Sequence, residues 1–182
     1  MADSEKQKRK VVIEDMERGV VLARAKLEQS TQRKLRELLG ERLVDALSSR
    51  SATERYAVNP DARAREGAFH LIAFHWQPTH SEKELYWTTL KNDPDAQVRQ
   101  GAIVCLAKLY HGTRNQGLCF EFAKIARDES LPSPLRRGAY LGLFAVQGAP
   151  PSSSRLLAAF RLQPDEFLKQ VDWEMVDSFL PK

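Results

Sequence analysis

Residues 93–106 read Asp-Pro-Asp-Ala-Gln-Val-Arg-Gln-Gly-Ala-Ile-Val-Cys-Leu. The opening Asp-Pro-Asp is typical of a turn, because proline restricts the backbone and aspartate caps free N–H groups at a helix start. After it, Val98, Ala102 and Leu106 recur every four residues, which places them on one face of a helix. The stretch therefore predicts a turn that leads into a helix with one apolar face.

The same frame occurs three times along the 182-residue chain. Arg-x-Gly-Ala stands at residues 65–68, 99–102 and 136–139, so the copies begin 34 and 37 residues apart. A residue with an apolar side chain precedes each arginine, and large apolar or aromatic residues follow each glycine at matching positions. Self-similarity at such a period indicates a repeat architecture, in which each repeat is one supersecondary unit.

The rest of the chain carries helical patterns and almost no strand signals. Apolar residues recur at spacings of three and four, and neither Asn-Gly nor Asp-Gly hairpin turns occur. Prolines divide the chain into intervals that leave room for helices of about 10–16 residues. We predict an all-α chain, with helix pairs at 81–91 and 96–110, and at 116–126 and 133–147.

Residues 93–106 resemble the turn and second helix of a HEAT-type repeat, and residues 59–72 and 131–144 are weaker copies. The resemblance implies a short right-handed α-solenoid of about four HEAT-like helix-turn-helix repeats with an N-terminal helical segment. We place the N-terminal helical segment at residues 1–50, its first few residues frayed, and the repeat domain at 51–182. Proteins of this family are mostly scaffolds, although phycobilin lyase subunits and alkylpurine DNA glycosylases also belong to it, so the fold alone does not select a function.

The predicted second helices are apolar on the side that should face away from the core. At about 100° per residue, the positions opposite the core stripe are mostly uncharged, whereas a solvent-facing row should be charged. Two explanations stay open. Either the chain itself covers this side, through the curvature of the solenoid or through the N-terminal helices folding back, or a partner protein lies on it as a helix with apolar anchors. The predicted partner-binding residues, called the second-helix face below, are His70, Val104, Lys108, Arg137, Leu141 and Phe144.

The repeated arginines form a second candidate site. Arg65, Arg99 and Arg136 are either an ion-pair ladder that holds the repeats in register or a ladder that binds anions. Asp61 and Asp95 stand four residues before the first two arginines, a spacing that allows local ion pairs. This spacing favours the structural role.

Composition and motifs argue against several functions. The net charge of +4 is scattered rather than gathered in the basic stripe typical of nucleic-acid binders. No window approaches the roughly 18 apolar residues of a membrane span. Gly-rich phosphate loops, nucleophile elbows and His-Glu-x-x-His motifs are absent from the sequence.

We therefore expect a non-enzymatic protein-interaction module with a protein partner and without catalytic residues, metal ion or cofactor. Cys105 and Cys119 lie in apolar runs, as buried and reduced thiols do, so we expect a cytoplasmic protein. The alternative is a nucleic-acid binder of the HEAT-like glycosylase type or a subunit of the lyase type.

Overall fold

The computed structural model describes residues 49–148 and 162–181, together with Arg33 and Glu37. The chain divides into two compact units, residues 1–43 and 44–182. Of the first unit, Arg33 and Glu37 are helical and exposed, and the predicted N-terminal helices otherwise lie outside the described residues. The repeated frame belongs to the second unit.

Eight α-helices form the described part of the second unit, where no residue lies in a strand. They are α1 (Arg50–Ala57), α2 (Ala62–Leu71), α3 (Lys83–Asn92), α4 (Ala96–Leu109), α5 (Gln116–Arg127), α6 (Ser133–Val146), α7 (Pro164–Leu168) and α8 (Trp173–Asp177). A π-helical turn, Ile72–Trp76, continues α2, and a 3-10 turn, His80–Glu82, precedes α3. The predicted all-α class is confirmed, and the two predicted helix pairs correspond to α3–α4 and α5–α6. No helix in this part of the chain is both long and apolar enough to cross a membrane.

Aspartates of the repeated frame start the second helices. The Asp61 side chain accepts a hydrogen bond from the Arg63 N–H at 3.0 Å. Asp95 accepts from the N–H groups of Gln97 and Val98 at 2.8 and 3.1 Å. Such caps satisfy backbone donors that have no partner inside the helix. Asp95 thus caps α4, and the local ion pair predicted between Asp95 and Arg99 is not formed.

The helices pack in pairs, and the second helices of the pairs pack on one another. α1 contacts α2, α3 contacts α4 and α5 contacts α6, while α4 also contacts both α2 and α6. α7 packs on α6, and α8 packs on α5. Each of α2, α4 and α6 therefore lies against its own pair-mate and against the second helix of a neighbouring pair.

The core face predicted from helical spacing is confirmed. On α4, helical spacing predicts a core face of Val98, Ala102, Leu106 and Leu109, of which the first three are buried and Leu109 is half-buried. On α6 the same spacing predicts a core face that is buried throughout: Leu135, Ala139, Leu143 and Val146. Both cysteines are fully buried free thiols. Residues spaced three or four apart lie on one face of a helix, and an apolar face packs into the core because this removes it from water.

Glycine determines how closely α4 approaches α2. A Cβ atom added to Gly101 would lie 2.7 Å from the Cβ of Phe69, closer than such atoms come without a backbone shift. At Gly138, the next copy of the frame, the nearest atom would be the Cγ of the flexible Gln100 side chain at 3.3 Å. The glycine of the frame is therefore required sterically on α4 and is less constrained on α6.

Candidate functional site

The second-helix face is spread over three helices that pack side by side. One of its residues, His70, is on α2, two are on α4 and three are on α6. Five of the six are half-buried, and the remaining one, Lys108, is exposed. An apolar strip consisting of Val104, Leu141 and Phe144 is thus partly open to solvent, in agreement with the expected uncharged row.

Phe74 joins this face, and sequence analysis did not select it. Its ring centroid lies 5.2 Å from that of His70 and 4.5 Å from the ammonium nitrogen of Lys108. Phe74 is 46% exposed, whereas its neighbour Ala73 is 1% exposed. Phe74 therefore brings residues of α2 and α4 together on one surface.

The π-helical turn explains why helical spacing missed Phe74. A regular helix would present Ala73 on this side, but the wider turn at Ile72–Trp76 shifts the register. The repeat frame contains a signal that could have found it. Phe74 stands seven residues after Gly67, the position that Lys108 holds after Gly101.

The side chain of Lys108 makes contacts within the chain. Its ammonium group donates a hydrogen bond to the Ala73 carbonyl at 2.6 Å. Although the residue is exposed as a whole, this end is partly withdrawn from water, and burial lowers the pKa of Lys108. Lys108 thus holds the π-helical turn against α4 and places a positive charge over the Phe74 ring.

Arg137 is also engaged within the chain. One of its terminal nitrogens donates to the Leu162 carbonyl at 3.3 Å, so Arg137 links α6 to the segment that leads into α7.

Two further predicted partner-binding residues, Leu141 and Phe144, also lie on α6. The ring of Phe144 lies against that of the buried Tyr140, with 4.9 Å between the ring centroids and an angle of 56° between the ring planes.

The repeated arginines meet three different environments. Arg65 forms two parallel hydrogen bonds with Asp93, Nε to Oδ2 at 2.7 Å and NH2 to Oδ1 at 2.9 Å. Its third nitrogen donates to the carbonyls of Asn59 and Pro60 at 2.8 and 2.9 Å. The side chains of the ion pair are only 12% and 9% exposed, and this contact raises the pKa of Arg65. Arg65 therefore joins α2 to the turn after α3.

Arg136, the third copy, is bound to backbone and to an aromatic ring. Its Nε donates to the Ala126 carbonyl at 3.0 Å, and its guanidinium lies 5.9 Å from the centre of the Trp173 ring. The same ring also contacts Arg127, at 4.5 Å, which pairs with Asp177. The third arginine thus belongs to the contact of α5 and α6 with α8.

Arg99, the second copy, has no such partner. Its Nε is shielded from water and donates to no acceptor among the described residues. The equivalent of Asp93 in the next unit is Asp128, which also follows directly on a first helix. Asp128 accepts instead from Ser130, at 3.0 Å from the N–H and 2.5 Å from the hydroxyl. The three arginines therefore do not form one continuous ladder.

A buried carboxylate, which sequence analysis did not identify, organises the region where α1 meets α3. The side chain of Glu82 is 6% exposed and accepts from the Nε and NH2 of Arg50 at 2.7 and 2.5 Å. It also accepts from the hydroxyl groups of Thr79 and Tyr86. Arg50 further donates to the Gln77 carbonyl at 2.8 Å. These bonds tie α1 to the loop that precedes α3.

The pKa values around Glu82 follow from this arrangement. Burial raises the pKa of Glu82, but the hydrogen bonds from Arg50 and Tyr86 outweigh it and hold that pKa at about 2. Burial, reinforced by the hydrogen bond to Glu82, raises the pKa of Tyr86. Burial also raises the pKa of the Cys105 thiol on α4, which keeps it protonated. The group is thus a stable, fully paired structural cluster rather than a set of reactive side chains.

Comparisons with models of known protein families, with curated protein sequences and with solved structures find no significant match. The resemblance to HEAT-type repeats therefore depends on the Arg-x-Gly-Ala frame and stays a prediction. The function has to be argued from the side chains described above.

Proposed function

We propose that the second unit is a short right-handed α-solenoid of about four HEAT-like repeats and that its second-helix face binds a partner protein. The three copies of the repeat frame fall at equivalent positions of α2, α4 and α6, and these helices pack in chain order. α7 and α8 take the place of a shorter terminal unit, as capping repeats do.

The observation that carries the proposal is the exposure of Phe74. Phe74 and Val58 are the two large hydrophobic side chains that are exposed in the described part of the chain. Phe74 differs from Val58 because it lies beside the second-helix face, in contact with His70 and Lys108. Aromatic side chains next to a partly buried apolar strip are typical anchors of protein interfaces.

The chemistry of this surface favours a partner segment of amphipathic helix. Val104, Leu141 and Phe144 offer apolar contacts along the packed helices, and the ammonium of Lys108 offers a positive charge next to Phe74. A helix with apolar anchors on one side and a neighbouring carboxylate would complement both. Because the packed helices are held before binding, little ordering cost would oppose association.

The test compares two matched variants of the full chain, Phe74→Glu and Val58→Glu. Each replaces an exposed hydrophobic side chain by a carboxylate, but only the first change falls on the proposed surface. The wild-type protein and both variants are immobilised and incubated with a native cell extract, with and without nuclease. The retained protein is identified by mass spectrometry, purified and titrated against each variant.

We expect one stoichiometric protein to bind the wild type and Val58→Glu equally, to survive nuclease, and to be lost from Phe74→Glu. Circular dichroism and thermal unfolding should be the same for the two variants, because neither side chain is in the core. Equal binding by Phe74→Glu would contradict the proposed surface. Recovery of nucleic acid alone, or a partner that nuclease removes, would favour the nucleic-acid alternative.

A further inference from the structure

A groove of about 430 Å³ opens beside Arg99, away from the second-helix face. Its walls come from the first helices α3 and α5, and its end is formed by the start of α4 and α6. The volume is at the lower end of the roughly 300–1,000 Å³ of small-molecule sites. It is therefore large enough for a compact organic ligand.

The apolar part of the groove is built from aliphatic side chains. Leu90 and Leu135, which line it, are almost fully buried, and Ile125 and Leu131 are half-buried. These residues present hydrocarbon to the groove, so the body of a ligand that displaces water there gains favourable burial.

Arg99 supplies the polar part. Its shielded Nε lacks a hydrogen-bond partner among the described residues, and a buried donor without a partner costs roughly 1–3 kcal/mol. Arg65 holds the same position of the repeat and shows which group can pair with such an arginine, because its Nε and NH2 together bind the carboxylate of Asp93. An incoming carboxylate would give Arg99 the contact that Asp93 provides to Arg65 once the Arg99 side chain turns its shielded Nε toward the groove.

The remaining charges select a monoanion. Lys91 and Lys124 line the groove with Arg99, and Glu121 and Asp128 oppose them, which leaves one net positive charge. A dianion such as phosphate exceeds this net charge, and Glu121 and Asp128 would repel it more strongly than they repel a monoanion. A single carboxylate matches the net charge and the two-nitrogen geometry of a guanidinium.

We infer that the groove between α3 and α5 is a binding site for a small organic carboxylate with an apolar body, with Arg99 as the residue that binds the carboxylate. This site is independent of the proposed partner surface, because it uses the first helices and the start of α4. Its ligand is recognised by one charge and a short hydrocarbon chain.

The test uses the full chain and four probes: hexanoate, the neutral isostere hexanamide, acetate and inorganic phosphate. Binding is followed by NMR through the Nε–H signal of Arg99, and affinities are measured by calorimetry. Arg99→Gln removes the proposed ligand-binding group. Arg63→Gln removes the same charge from an exposed position of α2 and serves as the matched control.

We expect hexanoate to bind one to one and to shift the Arg99 signal, with acetate, hexanamide and phosphate each weaker by roughly tenfold or more. Arg99→Gln should weaken hexanoate by a similar factor, and Arg63→Gln should leave its affinity unchanged. Equal binding of hexanamide, equal or tighter binding of phosphate, or unchanged affinity in Arg99→Gln would each overturn the inference. If Arg99→Gln does not fold, the order of affinities among the four probes on the wild-type protein still supports or overturns it.

Discussion

Two contacts that are built on the same repeat frame differ in the structure. One joins α2 to the α3–α4 turn, and the other brings α4 to the α5–α6 turn. In the first, Arg65 and Asp93 close a nearly buried ion pair. In the second, Arg99 and Asp128 are the equivalent residues, yet no hydrogen bond or salt bridge joins them, and a groove opens beside Arg99.

The difference between the two contacts follows from the turns that hold Asp93 and Asp128. Asp93 and Asp128 both accept a hydrogen bond from the N–H two residues on, at 2.9 and 3.0 Å. The first turn has three residues, 93–95, and the second has five, 128–132. In the longer turn the hydroxyl of Ser130 also binds Asp128. A repeat can therefore keep its arginine and its aspartate and still lose their contact when the turn between the helices lengthens.

The largest difference between the two contacts should appear when each arginine is removed. Arg65→Met leaves the carboxylate of Asp93 buried without its cation, which should lower the free energy of unfolding by about 3–5 kcal/mol. Arg99→Met removes no ion pair and also removes the unpartnered Nε, so it should leave the free energy of unfolding unchanged or raise it by up to about 1–3 kcal/mol. Urea unfolding of both variants measures this, and equal losses would show that the two contacts contribute alike.

A second distinction is sensitivity to acid, which comes from Glu82 in the region where α1 meets α3, outside both arginine contacts. The pKa of Glu82 is held at about 2 in the folded chain against 4.5 when unperturbed. A lowered folded pKa gives stability that is fully present above pH 4.5 and is lost as the pH falls toward 2. At about 1.4 kcal/mol per pKa unit, Glu82 should contribute about 3 kcal/mol.

Unfolding measured from about pH 6 to pH 2 for the wild type and Glu82→Gln isolates this contribution. The pKa of Glu54 is raised by its hydrogen bond with Glu82, so Glu54 opposes the slope. Both proteins are therefore compared in a Glu54→Gln background. Parallel stability curves for the two proteins would contradict the role assigned to Glu82.

Two of the three glycines of the frame, Gly101 and Gly138, should respond to substitution by alanine with opposite sign. Gly101→Ala places a Cβ against the Cβ of Phe69 and should destabilise the protein by about 1–3 kcal/mol. Gly138→Ala meets only the movable Gln100 side chain and should gain up to about 1 kcal/mol from helix propensity. Thermal unfolding distinguishes them, and destabilisation of both by the same amount would show that α6 is packed as tightly as α4.

The smallest effect should come from Ser130→Ala, which removes one of the groups that compete for Asp128. Without the Ser130 hydroxyl, Asp128 keeps one local donor, as Asp93 does, and becomes available to Arg99. We expect the Nε–H signal of Arg99 to move toward that of Arg65 in NMR spectra. An unchanged signal would indicate that turn length alone keeps the pair apart.

The regular spacing of apolar residues along each helix explains which parts of the fold could be predicted from the sequence. Val98, Ala102 and Leu106 are buried because a spacing of four on a helix sets a face without reference to any other element. The same reasoning failed at Ala73 and Phe74, since the π-helical turn changed the number of residues per turn. Contacts made by Lys108 with Ala73 and by Arg137 with Leu162 were also beyond reach, because they join distant residues.

The amino-acid sequence by itself determined the helices, their buried stripes and the threefold Arg-x-Gly-Ala frame. Each depends on spacings of a few residues, which bond geometry and hydrophobic burial translate directly into a helix face. Only the tertiary structure decided that Arg65 meets Asp93, that Arg136 meets Ala126 and Trp173, and that Arg99 faces a groove. The physical reason is that an ion pair forms or fails within about 4 Å, a distance set by how turns and neighbouring helices position residues far apart in the chain.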